Sequence, residues 1–283
     1  MKKFTLFAAI AVLFAACSSS EMDVEAPSID SDSTTVTFSF NPYDITIEPM
    51  TRASSVADYI TRLDIWLSDG TNTQAYNQVS SETGFATLEL TLNKTKTYTL
   101  YVMGHRCSEP STLSEGVISF PDDKVTQAFW YATTFTPATT TTLECTLNRI
   151  VAQFRLEITD VVPDDVTKFS YEIPQTYNRW SVTSGAVNKV DRTGTINLNS
   201  RNQDGSATIN VYIIPQTLTN EEQIDITFSA LTANDAVKKS WSFGDVPVRA
   251  NYRTTYRGAF FTDQPVSITL EAMDWSTFDT ITF

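Results

Sequence analysis

In the stretch RIVAQFRLEI, residues 149–158, Ile150, Ala152, Phe154, Leu156 and Ile158 fall on one side of an extended chain and Gln153, Arg155 and Glu157 on the other. Successive side chains of a strand point to opposite faces, so this pattern is that of a half-buried β-strand. The same two-residue period recurs at Leu63, Ile65 and Leu67, at Leu88, Leu90 and Leu92, at Ile209, Val211 and Ile213, at Ile224, Ile226 and Phe228, and at Val266, Ile268 and Leu270. No segment of helical length carries a 3.6-residue apolar stripe, and the expected class is all-β. Turn signals such as SDGTN, NKTKT, DRTGT and NQDGS separate the runs, as they do in β-sandwiches.

The first seventeen residues, MKKFTLFAAIAVLFAAC, place Lys2 and Lys3 before an apolar run that ends at small residues and a cysteine. The run is short for a membrane span, and the arrangement is that of an export signal. Ala15, Ala16 and Cys17 fit the small-small-Cys pattern of bacterial lipoprotein signals, in which Cys17 is acylated and becomes the first mature residue. Residues 18–52 begin with a Ser-, Asp- and Glu-rich stalk, too poor in apolar residues to pack. After this stalk, which ends near residue 35, about 250 residues remain, enough for two domains of ordinary size. The proline and threonine run at 135–142, followed by the strand into Asn148 and Arg149, puts the seam between them near 146–149. The expected units are therefore 1–17, 18–52, 53–147 and 148–283, the last two β-sandwiches.

The formal net charge of −13 disfavours nucleic acid and anionic membrane surfaces as partners. Catalytic chemistry is hard to assemble. His105 is the single histidine, with Cys107 two positions away, and it reads as the end of the strand YTLYVMGH. The adjacent carboxylates Asp122-Asp123, Asp164-Asp165 and Glu221-Glu222 diverge and sit at turns or helix starts. No His or Cys cluster has metal-ligand spacing, so neither a metal nor another cofactor is expected. Cys107 and Cys145 lie in an exported chain, where a disulfide between them and buried free thiols both stay open. Trp66, Trp130, Trp180, Trp241 and Trp275 are candidates for a sugar-stacking platform, Trp66 in particular because it falls on the polar face of its strand, opposite the side of Leu63, Ile65 and Leu67.

Three stretches, PMTRASS at 49–55, LNRIVAQFRLEITDVVP at 147–163 and VPVRANYRTTYRGAFFT at 246–262, resemble Bacteroidetes fimbrillin-type proteins, the subunits of type V pili. The order of parts adds to the likeness: lipoprotein signal, acidic stalk, first strand, TRA connector and two β domains. The resemblance implies tandem transthyretin-like, Greek-key sandwiches and an outer-membrane lipoprotein cut by an Arg-specific protease between Arg52 and Ala53. It implies that the leader strand, with Val36, Phe38 and Phe40, then leaves its groove and that a strand from another subunit fills it. The donor candidate is the stretch containing Val266, Ile268 and Leu270, with the closing strand of the chain's own sheet as the alternative. The implied partners are other fimbrial subunits and a host protein or glycan receptor. A tethered glycan-binding lipoprotein and a lipid-held fimbrial anchor remain as other readings.

Overall fold

The computed structural model describes residues 32–42, 56–198, 201–262 and 273–274. Its first half runs β1 (Ser33–Pro42), a single helical turn α1 (Val56–Tyr59), β2 (Arg62–Ser68), β3 (Thr73–Val79), β4 (Thr87–Asn93), β5 (Tyr98–His105), β6 (Thr112–Ser114), β7 (Val117–Ser119), β8 (Ala128–Phe135) and β9 (Thr142–Arg149). The second half runs β10 (Ala152–Ile158), β11 (Val166–Ser181), β12 (Gly185–Asn197), β13 (Ala207–Ile213), β14 (Glu222–Thr232), β15 (Val237–Val248), β16 (Tyr252–Gly258) and β17 (Met273–Asp274). The all-β class follows directly from the two-residue periodicity.

The first core is enclosed by one seven-stranded sheet, ordered β3-β2-β5-β8-β9-β1-β4, and not by two separate sheets. That sheet curls so that its halves face each other. Leu63, Ile65 and Leu67 of β2 and Leu100 and Val102 of β5 share a cluster with Val36, Phe38 and Phe40 of β1 and with Cys145 and Leu147 of β9. At one corner the two end strands meet: the Gln78 side chain donates to the Thr87 carbonyl at 2.6 Å and accepts from the Ala86 amide at 3.0 Å. Gly104 in β5 leaves room for this packing, because a Cβ there would stand 2.8 Å from the Ile60 side chain.

A second core lies between two sheets, β13-β10-β16-β17 and β15-β14-β11-β7-β6, with β12 paired to β11. Phe154 stacks on Phe228 at 5.4 Å between ring centres, and Tyr256 and Phe243 close the same aromatic group. Strand β11 is long enough to have two partners along one edge: β14 pairs with its start, and β7 pairs with its end, at Arg179–Ser181. Hairpin β6–β7, from the first half of the chain, therefore extends a sheet built from the second half.

A third apolar cluster forms where the halves meet, from Trp66, Met103, Ile118, Phe120, Val151, Trp180 and Ile214 among others. This corrects the reading of Trp66 as an outward-facing ring. Both faces of β2 are covered, Trp66 is only 6% exposed and Trp180 is buried beside it. Trp130 stacks on Tyr101 and lies 6.2 Å from Trp180, and Trp241 packs on the second core with its indole N–H on the Phe260 carbonyl. Trp275 lies outside the described residues. The described tryptophans thus line cores, and no stacking platform is formed by them.

Gly194 of β12 sits directly opposite Tyr171 of β11, and the tyrosine ring lies over it so closely that a Cβ would overlap the ring. Gly194→Val is expected to destabilise the chain by about 1–3 kcal/mol, the usual effect of overpacking. A lower midpoint in urea unfolding, absent from Thr195→Val on the exposed side of the same strand, checks it.

Candidate functional site

Strand β1 occupies a slot between β4, antiparallel to it, and β9, parallel to it. The slot forms because β1 alternates: Val36, Phe38 and Phe40 point inward and are no more than 1% exposed, while Thr37, Ser39 and Asn41 point outward. Phe38 faces Leu88 of β4 and Leu143 of β9 across the register, and Phe40 faces Cys145. The Phe38 ring meets Phe135 edge-on at 5.6 Å and stacks parallel to Phe40 at 6.5 Å. Amides also tie the strand at its margins, with Phe40 N–H donating to the Ala86 carbonyl and Thr37 N–H to the Thr141 carbonyl. Burying three such side chains is worth roughly 5–8 kcal/mol by apolar area.

Two properties set this strand apart. Among the described residues its neighbour β4 has no other strand partner in the sheet, so β1 holds the sheet's last strand as well as itself. Its link to the rest of the chain is the connector from 43 to 55, after which α1 begins. Cys17, Arg52 and Ala53 lie outside the described residues, as do Val266, Ile268 and Leu270.

Cys107 and Cys145 are both buried free thiols, in different clusters. Burial, with a smaller effect of Glu144, pushes the Cys145 pKa up to about 12, so the thiol is un-ionised and inert. Among the described residues no three His, Cys, Asp or Glu side chains converge as a metal site, and no helix is long and apolar enough to cross a membrane.

One buried polar group escaped the sequence. Asp64 on β2 is sealed from solvent, and its Oδ2 accepts from Nε2 of His105 at 2.7 Å, from the Ser111 amide at 2.6 Å and from the Ser111 hydroxyl at 2.5 Å. Burial disfavours a charged imidazole, whereas the bond to Asp64 favours one and raises the proton affinity of His105. The Cys107 amide donates to Nδ1 at 3.1 Å and keeps that nitrogen an acceptor, so the ring proton is on Nε2. Ser111 bonds the carboxylate and not the imidazole, and no nucleophile is poised on a base here. The cluster joins β2, the end of β5 and the segment leading into hairpin β6–β7. The alternation of Asp64 with Leu63 and Ile65 was the available signal, but it is equally that of a solvated face.

A model of a family of unknown function, DUF6562, matches residues 117–274. The match begins at β7, the first strand to pair with β11, and ends at β17. No curated protein matches the chain. Among solved structures, a candidate adhesin from Bacteroides ovatus is similar at a TM-score of 0.51 and 14% identity, covering 89% of this chain and 99% of that one. A candidate cell adhesion protein from Bacteroides uniformis is similar at a TM-score of 0.51 and 14% identity, covering 86% of this chain and 99% of its own. At such identity the likeness is one of fold, and it extends over both halves of the chain.

Proposed function

Since the chain belongs to the family of unknown function DUF6562 and has the fold seen in candidate adhesins of Bacteroides, we propose that it is a structural or adhesive subunit of a type V-like fimbrium at the cell surface. In this reading the chain is exported as a lipoprotein acylated at Cys17, with two transthyretin-like units, 53–147 and 148–283, behind its leader. An Arg-specific protease cuts between Arg52 and Ala53, β1 is displaced, and a strand from another subunit takes its slot.

The observation that carries the proposal is the setting of β1. It is a buried strand paired on both edges, yet it is joined to the rest of the fold only through the connector that holds Arg52. A cut there would leave the strand held by non-covalent contacts alone and release the fold from its lipid. Removing β1 would expose backbone groups on β4 and β9 and an apolar trough, and an incoming extended strand restores both. The buried positions of Trp66 and Trp180 remove the main support for a tethered glycan-binding protein.

Treating the purified precursor with an Arg-specific protease tests this. The expected result is cleavage after Arg52, read by mass, followed by a ladder of oligomers that Arg52→Ala abolishes. A chain cut at that bond that keeps β1 and stays monomeric would remove the basis of the proposal.

A further inference from the structure

The outer face of the second unit's larger sheet, over β12, β11 and β14, carries two cross-strand rows of polar side chains. Ser170 of β11 lies opposite Thr195 of β12 and Ser229 of β14, and Glu172 lies opposite Thr193 and Thr227. Phe169, Tyr171 and Ile173 alternate with them and pack on the second core, so these six side chains face away from it. Glu172, Thr193 and Thr195 are exposed, and Ser170, Thr227 and Ser229 are half-buried. Together they line a shallow hollow of about 230 Å³, with Tyr171 and Gly194 between them.

The chemistry of the hollow selects its ligand. The Thr227 and Ser229 hydroxyls are held by Ser242 and Ser240 of β15, at 2.8 and 2.7 Å. Among the described residues Ser170, Glu172, Thr193 and Thr195 make no side-chain hydrogen bond, and their donors and acceptors are available. Neighbouring strands are roughly 4.8 Å apart, so hydroxyls spaced around one small ring can reach several of these groups at once. The hollow is also smaller than the roughly 300–1,000 Å³ clefts that enclose drug-sized ligands, and suits a single ring. An apolar ligand would meet only hydroxyls and a carboxylate. An anion is disfavoured by Glu172 and by the net charge of −13. The lysines two residues before Ser170 and Ser240 are already engaged, Lys168 with Asp235 at 2.6 Å and Lys238 with Asp165 at 2.5 Å.

We propose that this face is a binding site for a neutral saccharide, with one sugar ring seated over Glu172. The Glu172 carboxylate accepts from hydroxyls of the ring, and Ser170, Thr193 and Thr195 complete the set of polar contacts. No aromatic ring lines the hollow for the sugar to stack on, so a single site binds weakly, and binding strengthens where several copies are displayed together. The site does not involve β1 and is independent of cleavage at Arg52.

The test uses the exported chain carrying Cys17→Ser, to remove lipidation, and Arg52→Ala, so that its outcome does not depend on processing. The chain is displayed on beads, so that weak sites act together, and applied to an array of neutral oligosaccharides of glucose, galactose, mannose, fucose and N-acetylhexosamines, with sialylated and sulfated forms beside them. Retention on one or more neutral probes is expected. It should fall about tenfold in Glu172→Gln, which removes a charge-assisted acceptor, and several-fold in Thr193→Val. Both residues are exposed, and urea midpoints equal to the parent's separate lost binding from lost folding. Retention on no neutral probe would overturn the proposal. So would equal retention of parent and variants, which places binding elsewhere, or a preference for the sialylated or sulfated forms, which makes the ligand an anion. The pilus proposal would survive those outcomes, because it stands on β1.

Discussion

Phe38→Ala is expected to lower the stability of the uncut chain by about 3–5 kcal/mol, the range for truncating a fully buried aromatic side chain. The residue is completely enclosed, touches Phe40 and Phe135, and lies across from Leu88 and Leu143 on the two neighbouring strands. The loss should exceed that at an equally buried residue on a central strand with strong neighbours. Weakening β1 also weakens β4, which among the described residues pairs with no other strand. Urea unfolding measures the effect, with outward-facing Ser39→Ala as a control expected within about 0.5 kcal/mol of the parent. Cys145 supplies a local readout, because it is fully buried opposite Phe40 and its thiol is held un-ionised. Its alkylation should accelerate in Phe38→Ala and stay slow in Ser39→Ala. Unchanged alkylation alongside a large loss of stability would mean that the first core does not open at β1.

The physics that makes β1 removable is also what limits how it can be read from sequence. Alternation of Val36, Phe38 and Phe40 identifies an apolar face, but a period of two says nothing about which strands flank it or in which direction they run. The parallel pairing with β9, more than a hundred residues away, and the order that leaves β4 hanging on β1 are products of the curled sheet. Runs such as those of β13 and β14 were legible because one face is buried and the other is wholly or partly exposed; β10 kept its apolar period although its polar face is covered too, with Gln153 buried beneath the Arg253 side chain. Strand β2 was not. Its second face, with Asp64 and Trp66, looks solvated by pattern, yet it is covered by the third cluster, built partly from residues beyond 117 such as Ile118 and Trp180. Three-residue β7 was too short to show any period, although it is the strand that carries the first half of the chain into the sheet of the second.

The buried carboxylate on that misread face should be as consequential as Phe38. Asp64→Ala removes the acceptor shared by His105, the Ser111 amide and the Ser111 hydroxyl, and leaves buried donors with nothing to bond. Breaking one side of such a group typically costs about 3–5 kcal/mol, since the orphaned partners keep their desolvation penalty. Asp64→Asn keeps the shape and one acceptor oxygen, and its expected cost is smaller, about 1–2 kcal/mol. The effect should also be directional. Ser111 is the last anchored residue before hairpin β6–β7, whose β7 pairs with Arg179, Trp180 and Ser181 of β11. Loss of the carboxylate should therefore free the segment around Ser111, seen as proteolytic cutting between Arg106 and Gly116 in Asp64→Ala and not in the parent. A double-mutant cycle with Ser111→Ala separates the two contributions, with coupling of about 0.5–3 kcal/mol expected for groups in one network. Strict additivity would show that the Ser111 hydroxyl contributes nothing through Asp64, and that the carboxylate acts through His105 and the Ser111 backbone amide, which Ser111→Ala retains.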